Sequence, residues 1–330
     1  MKVLIISRSR IPAHLYGGIE RVIWGLGKEL ALMGHEVTYL VQAGSTCPFA
    51  DVIPMDESRS LLDQIPESID VVHAQYLIPE LTSYEKPYLI TLHGNYDVPG
   101  FTFDPNLVFI SRNHAERYGA KTFVYNGLDW EDYTPPELHR KRTCYHFLGK
   151  AAWRVKNVKG AIRVIRKTRR EKLSVLGGVR FNFKMGVRLT FSPRIRFHGM
   201  VGGAEKDRLL NESKGLIFPV RWHEPFGLAI IESLYYGCPV FGTPYGSLPE
   251  LVKEDFGFLA SQSHELAEAI ENGDSFDPVR CHEYALTEFN SRKMALAYLE
   301  LYEKVMAREP LNQEAPRVLQ VPEEKFLPWD

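Results

Sequence analysis

The chain has 330 residues, enough for one large domain or two, and an apolar fraction of 45% that suffices for full hydrophobic cores. A net charge of −1 excludes a general affinity for polyanions. The four cysteines (Cys47, Cys144, Cys238, Cys281) show no C-x-x-C spacing, which argues against a zinc site or a disulfide framework and for reduced thiols of a cytoplasmic protein.

In chain order, residues 2–6 form a short apolar run, read as a buried parallel strand. It is too short for the core of a signal peptide, and Arg8 and Arg10 follow at once. No apolar run approaches the 18 residues of a membrane span. A loop then carries Gly17-Gly18 into a helix with Ile19, Val22, Ile23, Leu26 and Leu30 on one face. Gly34-His35 stops the helix, and residues 37–41 are the next strand. Strand, glycine loop, helix and strand describe a nucleotide-binding α/β unit. G-x-G-x-x-G is absent and no acid ends the second strand, so a dehydrogenase is disfavoured. Gly17-Gly18 suits close approach to a phosphate or sugar, though a plain tight turn explains it equally.

Short strands continue at 70–73, 87–92, 106–110 and 122–125. Ligands bind beyond the carboxyl ends of strands in open parallel sheets. His73, His93 and Asn126 stand at three such ends. Of the two histidines, His93 is the functional candidate, because Gly94 and Asn95 open space beside it. Residues 130–142, with Pro135-Pro136 and little periodicity, read as a linker. The expected domains are therefore 1–138, 139–288, and a closing helix and tail over 289–330 that packs back toward the first.

A second α/β pattern begins with a strand at 144–148 ending in Gly149-Lys150, then a helix at 159–170 and a strand at 172–176. A basic hairpin is expected over 179–190. A strand at 194–197 leads to His198-Gly199-Met200, a helix covers 205–212, and a strand covers 215–219. Between Lys150 and Arg208 stand 17 Lys/Arg and three acids, Glu171, Glu205 and Asp207, a net of +14; the rest of the chain then carries −15, since the total is −1. Such segregation points to a partner, an anionic membrane surface or acceptor, unless it is merely a solvated face. Nucleic acid is not expected, for the basic stretch has no aromatic interleaving or recognition motif.

Next comes Trp222-His223-Glu224-Pro225-Phe226-Gly227-Leu228, then Glu232 eight positions after Glu224. Pro-Phe-Gly is a turn, and helix formers run from Leu228 to Tyr236. At about 1.5 Å per residue the two carboxylates lie roughly 10–12 Å apart. That is too far to share a proton, and it suits a grip on two ends of one extended ligand. Amides at Phe226, Gly227 and Leu228 would meet an anion between them. A helix cap followed by a solvent-facing glutamate is the plain alternative. Strands at 239–242 and 257–259 follow, and helices at 264–272 and 290–307 close the pattern. Residues 311–330, with three prolines after Pro310, are a loose tail or a strap.

These landmarks together resemble family 4 glycosyltransferases over residues 1–305. The strongest part spans 215–252, with His223-Glu224-Pro225-Phe226-Gly227-Leu228, Glu232, Gly237-Cys238-Pro239 and Gly246-Ser247-Leu248-Pro249-Glu250. Tyr16-Gly17-Gly18, Gly34-His35-Glu36-Val37 and Asn126-Gly127-Leu128-Asp129 match in the expected order. The resemblance implies the GT-B fold, two Rossmann-like domains facing across a donor-binding cleft. It implies a retaining transfer of a sugar from a nucleoside-diphosphate sugar to a glycan, glycolipid or small-molecule acceptor. Within it, Glu224 would hold the donor sugar and Glu232 the ribose. Gly17, Gly18, Asn126, Phe226, Gly227, Leu228 and Met200 would contact the donor, and His93 would stand near the transferred sugar. Lys150 and Lys156 would hold the diphosphate. Lysine replaces the family's arginine and the spacing departs by one, so Arg154 or Lys159 is the alternative partner. No D-x-D occurs, so neither metal nor cofactor is expected. Location would be cytoplasmic, free or peripheral at the inner face of a membrane. The competing readings are a nucleotide-sugar-binding protein without transfer activity and a GT-B sugar-nucleotide epimerase.

Overall fold

The computed structural model describes residues 1–13, 17–182, 188–272, 276–319 and 324–330. The described residues of 1–130 and 289–319 form one compact unit, and those of 131–288 and 324–330 form another.

In the first unit, β1 (Lys2–Ile6) carries Val3, Leu4, Ile5 and Ile6 fully buried. A strand apolar on both faces is stable only in a sheet covered on both sides, and this one is central. It is followed by α1 (Ile19–Leu32), β2 (Glu36–Val41), β3 (Asp51–Pro54), β4 (Val71–Ala74), β5 (Tyr88–Thr91), β6 (Leu107–Val108) and the short α2 (Arg112–Glu116). The strands pair in parallel in the order β3-β2-β1-β4-β5-β6. On α1, Val22, Ile23, Leu26 and Leu30 turn inward, and a left-handed Gly34 ends the chain's helical run.

The second unit repeats the plan. It contains β7 (Cys144–Leu148), α3 (Val158–Lys167), β8 (Leu173–Leu176), a two-stranded ribbon of β9 (Phe181–Asn182) and β10 (Arg188–Leu189), β11 (Ile195–Phe197), α4 (Gly203–Asn211), β12 (Ser213–Phe218), α5 (Leu228–Tyr235), β13 (Val240–Gly242), α6 (Leu248–Leu251), β14 (Gly257–Leu259), α7 (Ser263–Glu271) and α8 (Pro278–Glu288). Its parallel sheet runs β11-β8-β7-β12-β13-β14, the same order counted within the unit. Phe147, Val164, Ile165, Ile217, Phe241 and Leu266 form the core beneath α3 and α7. The last helix, α9 (Ser291–Met306), belongs to the first unit and lies on α1 and β5. Two six-stranded sheets in this order, each with helices, are the GT-B architecture.

Three elements differ from the sequence reading. Residues 122–125 make one isolated bridge, Phe123 to Phe109, since β6 already closes the edge. β3 was not expected, because Asp51–Pro54 is short and only partly buried. α8 was not expected either, since its inward residues are Cys281 and Ala285, too small to mark a periodic stripe. The tail divides. Asn312, Pro316 and Val318 bond to the first unit at Pro105, Phe103 and Phe101, and residues 324–330 lie on the second.

Candidate active site

The second unit gathers most of the expected residues at the carboxyl ends of β7 and β12. Past β7, Gly149 and Lys150 turn out of the sheet. Gly177 lies against this turn so closely that a Cβ there would be 2.0 Å from the Gly149 carbonyl oxygen. Lys150 is exposed, its ammonium 5.4 Å from the Trp153 ring centre. A 3-10 turn, Arg154–Lys156, follows. Asn157 then adopts the left-handed conformation and caps α3. Its carboxamide accepts from the Gly160 amide at 3.0 Å and donates to the Pro219 carbonyl at 2.9 Å, tying the lysine loop to the end of β12.

That tie delivers Lys156 to Glu224. The ammonium lies 2.8 and 2.7 Å from the two carboxylate oxygens, and Trp222 Nε1 donates to the second at 2.8 Å. The Phe218 and Trp222 rings stand 5.2 and 5.0 Å from the same ammonium. Glu224 is 5% exposed, so the pair is largely dry. Its loop is held by Gly246 and Ser247. A Cβ on Gly246 would fall 2.2 Å from the Glu224 nitrogen, and Gly246 has a φ of +65°. The Ser247 amide donates to the Glu224 carbonyl at 2.9 Å, and its hydroxyl to the Phe226 carbonyl at 2.6 Å.

Gly227, left-handed at φ +90°, caps α5. Phe226 is buried and Leu228 begins the helix, whose first amides point outward from its positive end. Along α5, Glu232 is 9% exposed; its Oε1 accepts from the Tyr133 hydroxyl at 2.8 Å and from the Lys206 ammonium. Met200 is 45% exposed beyond β11. Arg154 and Lys159 do not reach Glu224; both line a separate pocket.

The other expected residues belong to the first unit. His93, at the end of β5, shares a 2.8 Å hydrogen bond between its Nε2 and Gln75 Oε1, and burial pushes its imidazole down to about 4. His73 is fully buried and serves the fold. Its ring nitrogens lie 2.8 Å from the Tyr302 hydroxyl and 2.8 Å from Thr91 Oγ1, and Tyr298 OH is 2.9 Å from the same Thr91 oxygen. Asn126 is 4% exposed, and its carboxamide oxygen has no hydrogen-bond partner among the described residues. Gly18 caps α1, and Gly17 precedes it so closely to Ala13 and Glu20 that a Cβ would lie 2.8 Å from each. Tyr16 lies outside the described residues.

Sequence reasoning missed Trp222, Tyr133, Lys206 and Gln75 as partners. Trp222 stands two positions before Glu224, where alternation along an extended loop was a usable signal. Nothing in the sequence joins Lys206 or Tyr133 to Glu232, which are 26 and 99 positions away. Among the described residues, no group of three or more His, Cys, Asp or Glu is placed to hold a metal, and no helix is long and apolar enough to cross a membrane.

Residues 143–272, the core of the second unit, match the family model of Glycosyl transferases group 1. The chain is similar to the N-acetyl-alpha-D-glucosaminyl L-malate synthase of Bacillus anthracis, with 23% identity over 366 residues that cover 88% of this chain and 94% of that one. The fold resembles that of AviGT4, a glycosyltransferase involved in avilamycin A biosynthesis, at a TM-score of 0.71, 18% identity, and coverage of 93% of this chain and 98% of that one. It also resembles Anabaena HepE in complex with UDP and glucose, at a TM-score of 0.64, 16% identity, and coverage of 92% and 100%.

Proposed function

We propose that this chain, a GT-B glycosyltransferase whose residues 143–272 belong to Glycosyl transferases group 1, transfers a sugar from a nucleoside-diphosphate sugar with retention of configuration. The observation that carries this reading is the dry Lys156–Glu224–Trp222 cluster beside the start of α5. A carboxylate offers about four acceptor positions. Lys156 and Trp222 use three contacts, which leaves Glu224 able to accept a sugar hydroxyl. Lys150, Lys156 and the first amides of α5 face the negative charge that grows on the leaving diphosphate as the glycosyl–phosphate bond breaks. These cations serve in place of a metal, so transfer continues in EDTA. Glu232 is assigned to the ribose hydroxyls, and Met200, Gly17, Gly18 and Asn126 to the remaining donor contacts. His93 is assigned to the transferred sugar as a neutral imidazole, since its depressed pKa keeps it uncharged at pH 7.

HepE binds UDP and glucose, which supports a nucleotide sugar as donor. The acceptor is a hydroxyl of a glycan, glycolipid or small molecule; the malate in the name of the Bacillus relative makes a hydroxy acid the first small acceptor to try. The basic surface over 150–208 is assigned to contact with an anionic membrane, where the exposed Phe181, Leu189 and Phe191 enter the interface. Sedimentation with vesicles that contain anionic lipid, against neutral ones, tests that assignment.

A thermal-shift screen of UDP-, GDP- and ADP-sugars, followed by product analysis with the best donor, tests the main reading. One donor raises the melting temperature, and the sugar appears on an acceptor with its anomeric configuration kept. Absence of any shift, or release of an epimerised nucleotide sugar, overturns it.

A further inference from the structure

A second cationic pocket opens on the other side of the lysine loop. It encloses about 140 Å³ among Trp153, Arg154, Lys159, Asn182, Arg221 and Phe326. Water occupies roughly 30 Å³ per molecule, so the space holds roughly four or five waters, the size of a phosphoryl group with part of its ester. Three of these residues are cations, and among the described residues no acid lines the pocket. Arg154 has its guanidinium 4.7 Å from the Phe326 ring centre, and Arg221 sits 5.3 Å from the same ring. No carboxylate pairs with Arg154, Lys159 or Arg221 among the described residues.

Two further features shape it. The N-terminus of α3, a helix of ten residues, lines the pocket through Asn157, Val158 and Lys159, which adds the positive end of its dipole to the three side chains. The carboxyl-terminal segment forms one wall. The Leu327 amide donates to the Arg221 carbonyl at 2.9 Å, the Arg221 side-chain Nε donates to the Leu327 carbonyl at 2.8 Å, and the Pro328 carbonyl accepts from Tyr245 OH at 2.9 Å. Asp330 then caps α7 through Ser263 at 2.8 and 2.7 Å. Phe326 is thus carried by a segment bonded through the residues that follow it, Leu327, Pro328 and Asp330, while Glu324 before it is exposed.

The pocket is distinct from the assigned diphosphate position. Arg154 and Lys156 stand two apart on a 3-10 turn of about three residues per turn, so their side chains leave the axis roughly 120° apart. Lys156 goes to Glu224 and Arg154 to Phe326. We infer that this pocket binds the phosphoryl group of a small phosphate ester, separate from the sugar donor, with the organic part of the ester against the Trp153 and Phe326 faces. Arginine forks suit phosphate oxygens in pairs, and the aromatic walls exclude water around them.

The test uses the full chain and inorganic pyrophosphate as probe, read by titration calorimetry. The wild type binds it. The Lys150→Gln/Lys156→Gln variant keeps one equivalent at unchanged affinity, and adding Arg154→Gln/Lys159→Gln to it weakens that equivalent at least tenfold. Phe326→Ala, which removes a wall and no charge, weakens binding of glucose 6-phosphate more than that of pyrophosphate. The Arg154→Gln/Lys159→Gln variant binds UDP, GDP or ADP as the wild type does, which separates this site from the donor reading. No binding of pyrophosphate to the wild type overturns the inference. So does unchanged affinity in the fourfold variant, or a loss of nucleoside diphosphate binding in Arg154→Gln/Lys159→Gln, which would make the pocket part of the donor site.

Discussion

The two units share one strand order, and the polar groups inside their sheets differ in kind; the first unit's pair Lys28–Asp129 leaves its lysine 24% exposed. In the first, the polar groups inside the sheet and its last helix are neutral: His73, Thr91, Tyr298 and Tyr302 satisfy one another. Burial holds His73 well below the usual histidine range, so it carries no charge there. In the second, the interior holds, among the described residues, the ion pairs Lys156–Glu224 and Lys206–Glu232, at side-chain exposures of 15%/6% and 5%/11%. His146, between Ser213 and Ser233, is that unit's counterpart of the neutral cluster, pushed down to about 3 by burial. A buried ion pair adds little stability over an apolar pair of the same volume, whereas a neutral network meets its own hydrogen-bond demand at low cost. The first arrangement is what a fold needs, and the second is what a site for a charged ligand needs.

Four measurements press on this contrast, beginning with the largest effect. Lys206→Met leaves Glu232 charged and buried beside Tyr133. Urea unfolding should show a loss of about 3–5 kcal/mol, typical of a broken buried pair; a loss below the cost of a single hydrogen bond would mean that the pair is not dry. Next, Glu224→Gln keeps shape and removes charge. Transfer should fall about 100-fold or more, by analogy with deleting one transition-state contact, while the circular dichroism spectrum stays native. Near-normal turnover would remove Glu224 from the chemistry. His73→Phe should cost about 1–3 kcal/mol by stranding Thr91 and Tyr302, with turnover unchanged in the folded enzyme. An equal loss of activity would erase the distinction between the units.

The smallest effect is on pH dependence. The folded pKa of His93, about 4, lies below its unfolded value near 6.5. Between these values the unfolded chain binds a proton that the folded chain does not, so stability falls as pH drops from about 6.5 to about 4 and is fully present above 6.5. His93→Asn should flatten the denaturation slope in that window by at most about 1.4 kcal/mol per pH unit. A slope identical to wild type would show that His93 protonates freely in the fold.

The legible part of the fold was its alternation. Runs such as Val3–Ile6 are apolar because both sheet faces are covered, and Gly149 and Gly177 mark the turns that leave β7 and β8. Asp51–Pro54 and α8 were hidden, since a short edge strand and a helix that buries small residues leave no periodic mark. In the site, Glu224 and Glu232 stood out by their spacing, whereas Lys150 and Lys156 came from the family resemblance alone, with a spacing that departs from it by one. The partners of these side chains were not readable, because Tyr133 reaches Glu232 across 99 positions and no local pattern carries that information.

By itself, then, the sequence determined the α/β plan, the positions of the strand ends and which residue types stand there, because hydrophobic period and glycine placement are local properties. Which charges meet was decided only by the tertiary structure. Lys156 turned to Glu224 while Arg154, two residues away, turned to Phe326. His73 went into the core while His93 stayed at the strand mouth. Pairing of that kind depends on the burial and distance of groups far apart in the chain, and those exist only once the sheets are assembled.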